Sequence, residues 1–164
     1  MKLYHISDLY INYLRQFDNK VLENHFVKHD RKYLGLGFVL NGRQYYIPLS
    51  HPDPTDFVNG KPRNSVIPIF RLVTHSGRLL GKLLLNNMIP VPSSELTYYD
   101  LSKEQDTRYR NLVLSELRII KANTSKIIKN ANTLYKQKSL RLQYPYLSAT
   151  VDFQLLETKC DLYK

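Results

Sequence analysis

RKYLGLGFVLNGRQYYIPLSHPD, residues 31–53, carries the local signal from which the fold can be built outward. Tyr33 to Leu40 and Arg43 to Leu49 are two runs rich in aromatic and β-branched residues, separated by Asn41-Gly42. Both turn residues tolerate positive φ, as a two-residue type I′ hairpin requires. Antiparallel pairing then brings Lys28, His29, Arg31 and Lys32, before the first strand, to the same end as Ser50 and His51, after the second.

Upstream, Lys2 to Ile6 alternates like a short strand. Ser7 then offers a cap to a helix whose Tyr10, Tyr13, Leu14 and Phe17 fall at i, i+3, i+4 and i+7. Residues 18–30 lose periodicity and read as a loop that leads into the hairpin. Downstream, the Pro- and Gly-punctuated stretch 50–64 reads as a long exposed loop. Val66 to Val73 and Leu79 to Leu85 read as two more strands joined across Ser76-Gly77, with Pro68 marking an edge position or an irregular start. Met88 to Pro92 continues as an extended segment, and Glu95 to Tyr99 adds a short strand. Ser102 and Gln105 fit a capping box, and behind them apolar residues hold helical spacing over one long helix, or two nearly collinear ones, from about 104 to 137, with a weak point at Ala122 to Ser125. Thr150 or Asp152 caps a final helix carrying Phe153, Leu155 and Leu156. The pattern is α+β: an antiparallel sheet with packed helices, including one long or bent helix in the C-terminal half.

The 164 residues suit one domain spanning 1–164, a length that buries about 70% of the surface the unfolded chain exposes. One cysteine, Cys160, excludes an internal disulfide, and Asp8, Asn12 and Arg15 interrupt the N-terminal segment where a secretory signal has its apolar core. A reducing cytoplasm is the expected location. No run approaches the ~18 apolar residues of a membrane-spanning helix, so no membrane partner is expected.

Net charge is +10, from 24 Lys and Arg against 14 Asp and Glu, which favours polyanions: nucleic acid first, an anionic membrane second. Its distribution is sharper evidence than its size. Between Glu116 and Asp152 there is no acidic residue, while Arg118, Lys121, Lys126, Lys129, Lys136, Lys138 and Arg141 all fall inside. A solvated helix face ordinarily mixes signs, so this bias points to phosphate contacts. Asn123, Asn130, Asn132, Tyr135, Gln143, Tyr144 and Tyr146 add hydrogen-bonding and stacking groups of the kind single-stranded or folded RNA uses. Arg63, in the 50–64 loop, joins the expected RNA-contact set. The bland alternative is a generically basic helix face.

Several chemistries are excluded. Gly35-Leu36-Gly37 lacks the third glycine of a dinucleotide loop, no Walker A sequence occurs, and no serine sits in G-x-S-x-G. His25 and His29, four apart, lack further ligands nearby in sequence, and paired acids for a two-ion nuclease are missing. A nuclease with this sequence is therefore expected to work without metal or other cofactor. The 2′-hydroxyl of RNA can attack the adjacent phosphorus, given a base or orienting group, a proton donor for the leaving 5′-oxygen, and cations around the charged intermediate. Lys28, His29, Arg31, Ser50 and His51 supply those types, with histidine poised to exchange protons near neutrality.

These residues also carry a resemblance. Met1-Lys2-Leu3-Tyr4, Ile6-Ser7, Tyr10-Ile11-x-Tyr13-Leu14 and Phe17-Asp18 resemble the opening of the ToxN/AbiQ family, the endoribonuclease toxins of bacterial type III toxin-antitoxin systems. It continues through Tyr33-Leu34-Gly35, Tyr45-Tyr46-Ile47-Pro48-Leu49-Ser50, Asn87-Met88-Ile89-Pro90-Val91, Asn123 with Ile127, and Asp152-Phe153-x-Leu155-Leu156-Glu157-x-Lys159. The resemblance implies a strongly bent antiparallel sheet packed with helices. It also implies metal-independent RNA cleavage leaving a 2′,3′-cyclic phosphate and a 5′-hydroxyl. The implied partners are a noncoding repeat antitoxin RNA, folded as a pseudoknot and processed by the toxin it inhibits in a closed multi-subunit assembly, and cellular or phage mRNA as substrate.

Where the family often places a Tyr and a Lys four apart before the hairpin, this chain has Val27 and Arg31. Where it often has Thr or Ser and then Ser-Pro-Lys, this chain has Ser50-His51-Pro52-Asp53. The expected division of work gives proton handling to His51 or His29, phosphate orientation to Ser50, and charge neutralisation to Lys28 and Arg31, a poorer proton shuttle than lysine. A non-catalytic RNA-binding module is the alternative reading of the same surface.

Overall fold

The computed structural model describes residues 1–25 and 30–164. Strand β1 (Lys2–Ile6) leads into helix α1 (Asp8–Arg15), whose Ser7 cap accepts a hydrogen bond from the Tyr10 N–H at 3.2 Å. The hairpin follows as β2 (Tyr33–Leu40) and β3 (Arg43–Ser50), with Asn41 at φ 48° and Gly42 at φ 77° in the turn. These are the two left-handed residues that a type I′ turn needs. The 50–64 stretch has more structure than an open loop: a 3₁₀ turn at Pro54–Asp56 capped by Asp53, then a small hairpin of β4 (Phe57–Val58) and β5 (Lys61–Pro62).

Strand β6 (Ile69–Val73) starts later than the sequence pattern suggests, because Pro68 has no N–H for a ladder and Val66 makes only an isolated bridge to Ile69. Strand β7 (Leu79–Leu84) ends where residues 85–87 close into a 3₁₀ turn. The short strands β8 (Ile89–Pro90) and β9 (Leu96–Tyr98) complete the sheet, ordered β6-β7-β3-β2-β1-β9, with every pairing antiparallel and β6 at one edge. Along one side of β3, Tyr45 and Tyr46 pair with β8, while Leu49 and Ser50 pair with β7. On its other side, the register with β2 shifts between Gly35 and Val39. Gly37 lies in that interval at φ 72°, a backbone setting that favours glycine at a bulge.

Helix α2 (Thr107–Ala122) begins later than the Ser102 signal suggests. The Ser102 N–H and hydroxyl both donate to Asp100, and it is Asp106 that caps the helix by accepting from the Arg108 and Tyr109 N–H groups. The long helix is two. α3 (Thr124–Ser139) starts after Asn123, whose side chain donates to the Ile119 carbonyl at 2.8 Å, while Thr124 Oγ1 donates to Ile120 at 3.1 Å. Such back-bonding to the preceding turn competes with regular helix and bends it at the expected place. Asp152 caps α4 (Phe153–Leu162).

α2 packs against β6 and β7, α3 against β2 and α4, and α4 against β8. Inside, Tyr10, Tyr33, Tyr45, Leu83, Ile120, Leu134 and Phe153 are almost completely buried. Tyrosine serves this core because its hydroxyl finds partners: Tyr45 and Tyr135 each donate to Glu157 Oε1 at 2.8 Å, and Asn41 Nδ2 donates to Oε2 at 2.8 Å. That carboxylate ties the hairpin turn to α3 and α4.

Candidate active site and RNA-contact surface

The polar end of the hairpin is built by the strand pairing itself. The Leu49 N–H donates to the Lys32 carbonyl at 2.9 Å, which sets the segment before β2 beside the end of β3. Arg31 is 8% exposed, and its Nε donates to the Glu23 carbonyl at 2.8 Å and its Nη1 to the Leu49 carbonyl at 3.4 Å. It therefore braces the site as well as charging it. Burial lowers its pKa, yet a guanidinium stays protonated in a protein. Lys32 is also buried, its ammonium 4.8 Å from the ring centres of both Tyr99 and Tyr109, and its Nζ donates to the Asp30 carbonyl at 3.1 Å. Burial pushes its pKa down, against the opposing pull of Glu104 and Asp30.

Arg31, Lys32, Ser50 and His51 line one cavity together with Tyr109 and Glu116 of α2. Three of the five expected catalytic residues, Arg31, Ser50 and His51, thus meet. Lys28 and His29 lie outside the described residues. Ser50 is half-buried at the end of β3 and its hydroxyl donates to the His51 carbonyl at 3.4 Å, while His51 is exposed.

Asp53 stands where the family resemblance places a lysine, and a lysine from another strand meets it there. Lys82 is the cross-strand partner of Ser50, and its Nζ pairs with Asp53 Oδ2 at 2.5 Å and Asp56 Oδ2 at 2.6 Å. Asp56, fully buried, also receives Arg71 Nη2 at 2.8 Å. The Lys82 hydrogen bond, helped by Thr55, holds the Asp53 carboxyl down at about 2. A cation does reach this corner, from β7, but two carboxylates neutralise it. Among the described residues no three His, Cys, Asp or Glu side chains are grouped so as to hold a metal ion.

The expected RNA-contact residues Arg63, Arg118, Lys121, Lys126, Lys129, Lys136, Arg141 and Tyr144 are all exposed. Arg63 and Lys126 share a groove with Asn123 and Phe70 where α2 meets α3, and the Lys126 ammonium lies 5.9 Å from the Phe70 ring centre. Tyr144 stacks on Tyr146 with ring planes 9° apart. Lys138, the remaining residue of the expected set, is half-buried and its Nζ donates to the Leu147 carbonyl at 2.7 Å, which ties α3 to the following loop. No helix among the described residues is long and apolar enough to cross a membrane.

The family model for Toxin ToxN of type III toxin-antitoxin systems matches residues 2–161. The chain belongs to the ToxN family. Endoribonuclease ToxN of Bacillus thuringiensis subsp. kurstaki is 33% identical over 170 residues, covering 99% of this chain and 84% of that protein. A solved structure described as showing selective toxin inhibition by a non-coding RNA pseudoknot superimposes with a TM-score of 0.81 at 31% identity, over 99% of this chain and 96% of that one. Another, described as a bacterial antiviral system regulated by a processed non-coding RNA, reaches a TM-score of 0.87 at 28% identity, over 99% of both chains.

In this cavity the sequence places Lys32 at the polar end of the hairpin but outside the expected catalytic set, and it gives no place to Tyr109 or Glu116. Lys82 is missed because strand register, not proximity in sequence, brings it opposite Ser50. Glu116 had a visible signal: it stands between Val113 and Ile120 on the apolar stripe of an amphipathic helix, where a carboxylate is out of place.

Proposed function

We propose that this chain is an endoribonuclease toxin that cleaves RNA without metal by 2′-hydroxyl attack, and that a noncoding repeat RNA, folded as a pseudoknot, both serves it as substrate and restrains it. The observation that carries this reading is the meeting of Arg31, Lys32, Ser50 and His51 in one cavity at the end of the β2–β3 hairpin. Transesterification needs proton exchange, phosphate orientation and fixed positive charge, and those side chains supply all three. The relative named as an endoribonuclease and the neighbour inhibited by a pseudoknot support the same reading.

In the proposed division of work, His51 handles a proton, Ser50 orients a non-bridging phosphate oxygen, and Arg31 with Lys28 neutralises charge as it develops. His29 is the second candidate for proton transfer. Exposed bases on α2 and α3, from Arg118 to Lys136, with Arg63, Arg141 and Tyr144, hold the RNA backbone and stack its bases. The partners are the repeat antitoxin RNA in a closed multi-subunit assembly, and cellular or phage mRNA as target.

The test is to incubate the purified protein with RNA in excess EDTA and map the product ends. Ends carrying 2′,3′-cyclic phosphate and 5′-hydroxyl are expected. Cleavage that requires added Mg²⁺ refutes the mechanism, and RNA bound tightly but left intact refutes the enzyme reading in favour of a binding module.

A further inference from the structure

Of the buried carboxylates among the described residues, Asp18, Asp56 and Glu157 all accept hydrogen bonds. Glu116 differs. It is 6% exposed, lines the cavity beside Ser50 and His51, and has no hydrogen bond or ion pair among the described residues. Burying a carboxyl without a partner is costly, so its protonated form is favoured.

The sheet makes room for this group. A Cβ at Gly81 would fall 2.2 Å from Glu116 Oε1 and 3.1 Å from the Ser50 carbonyl oxygen. Gly81 does not adopt positive φ, so no turn requires glycine there. Its missing side chain leaves the space the carboxyl fills, over the point where β7 meets the Ser50 end of β3. Desolvation pushes the Glu116 pKa up to about 7, so the group changes charge near neutrality. Among the described residues, the other charged and titratable groups around the cavity are Asp30, Arg31 and Lys32 before β2, His51 after β3, and Tyr109 on α2.

We propose that Glu116 is a catalytic carboxyl of the RNA-cleavage site, exchanging a proton with the ribose 2′-hydroxyl in the cavity bordered by Ser50 and His51. This rests on reading that cavity as the cleavage site. In the step, the 2′-hydroxyl proton passes to the Glu116 carboxylate as the 2′-oxygen bonds to phosphorus. The bond from phosphorus to the 5′-oxygen breaks with its electron pair on oxygen, and that oxygen takes a proton from the His51 imidazolium. Cyclic phosphate and 5′-hydroxyl ends result.

The test uses an RNA containing a cut site mapped with the unmodified protein, and the same RNA with 2′-deoxyribose at the cut as a binding probe. Glu116→Gln preserves shape and removes the titration. Single-turnover cleavage is expected to fall at least ~100-fold, within the range of lost acid–base catalysis, with the Kd for the deoxy RNA unchanged within about threefold. The limb of the pH–rate profile that Glu116 sets should vanish. Cleavage within about threefold of the unmodified protein, with the same pH profile, overturns the proposal. His51→Ala run in parallel separates the two readings. Loss of cleavage in that variant alone rejects Glu116 and keeps the site, whereas wild-type cleavage in both rejects the site itself. Should Glu116→Gln fail to fold, ¹³C NMR titration of the Glu116 carboxyl in the unmodified protein still decides. A midpoint far above the ordinary carboxylate range, moved by the deoxy RNA, is expected; an ordinary midpoint that RNA leaves in place overturns the proposal.

Discussion

Asp56→Asn is the sharpest test of how the loop after β3 is held. Asp56 is fully buried and joins Lys82 of β7 to Arg71 of β6, while Asp53 grips Lys82 from the surface. Removing one member of a buried ion pair strands its partners, at about 3–5 kcal/mol. Here Asp53 still neutralises Lys82 and the Asn64 carbonyl still accepts from Arg71 at 2.8 Å, so the lower end, about 3 kcal/mol, is expected. With a urea m-value of ~2 kcal/mol/M, the unfolding midpoint should drop by about 1.5 M. A drop below about 0.5 M would show that the network carries little stability and refute the reasoning. pH supplies an internal control. Burial pushes the Asp56 carboxyl up, but the Lys82 hydrogen bond, the Asp53 N–H and Arg71 outweigh it, and the pKa lies below the ordinary value. The folded pKa is therefore depressed. The stabilisation is complete above the unfolded carboxylate value of about 3.9 and is lost as pH falls through the lower folded one. The gap between the unmodified protein and Asp56→Asn should close in that acid window and stay constant from pH 5 to 7.

Other outcomes follow from the same contacts. His51→Ala should lower RNA cleavage by ~10²-fold or more while RNA binding, measured by filter retention, stays near its original value. Replacing Arg118, Lys126 and Lys129 together by Ala should flatten the plot of log K against log salt by about 2 for a flexible RNA, at roughly 0.7 per lost phosphate contact; an unchanged slope removes those residues from the interface. Glu157→Ala leaves the Tyr45 and Tyr135 hydroxyls and Asn41 without their shared acceptor. A loss of about 3 kcal/mol and a fall of about 6–12 °C in Tm are expected by calorimetry. Gly35→Ala would set a Cβ 2.9 Å from the Tyr4 ring and 3.0 Å from the Tyr46 ring, and overpacking of about 1–3 kcal/mol should appear as a lowered urea midpoint.

What was legible in the sequence was whatever local chemistry dictates. Asn41-Gly42 had to turn because both residues accept positive φ, and the polar groups flanking β2 and β3 had to meet because a hairpin brings its open ends together. The break at Asn123 was equally local, since Asn and Thr side chains turn back on the helix they interrupt. Less legible were features decided by competition between neighbouring signals: Ser102 looks like a cap until Asp100 claims it, and Asp106, four residues on, takes the role. Least legible was the second half of the cavity. Tyr109 and Glu116 reach Ser50 and His51 only because α2 packs against β6 and β7, and Gly81 opposes Glu116 only through that docking.

The same distinction explains the altered loop. A lysine carried after β3 would bring a charge to the site on a flexible arm. This chain has Asp53 there, and its charge fixes Lys82, which strand register already sets opposite Ser50. Lys82 is thereby spent on holding the loop, since two carboxylates absorb its charge, and among the described residues the cations that line the cavity are Arg31 and Lys32. Both are buried and restrained by backbone carbonyls or rings, which favours fixed electrostatic stabilisation over proton transfer. In the proposed reading, proton transfer among the described lining groups falls to the His51 imidazole and to Glu116, whose carboxyl burial pushes up to about 7. A site that moves protons through a histidine and a buried carboxyl should cut RNA with a bell-shaped pH dependence, rising as one group loses its proton and falling as the other does. A rate that climbs monotonically through pH 9 would mean that neither group transfers the proton.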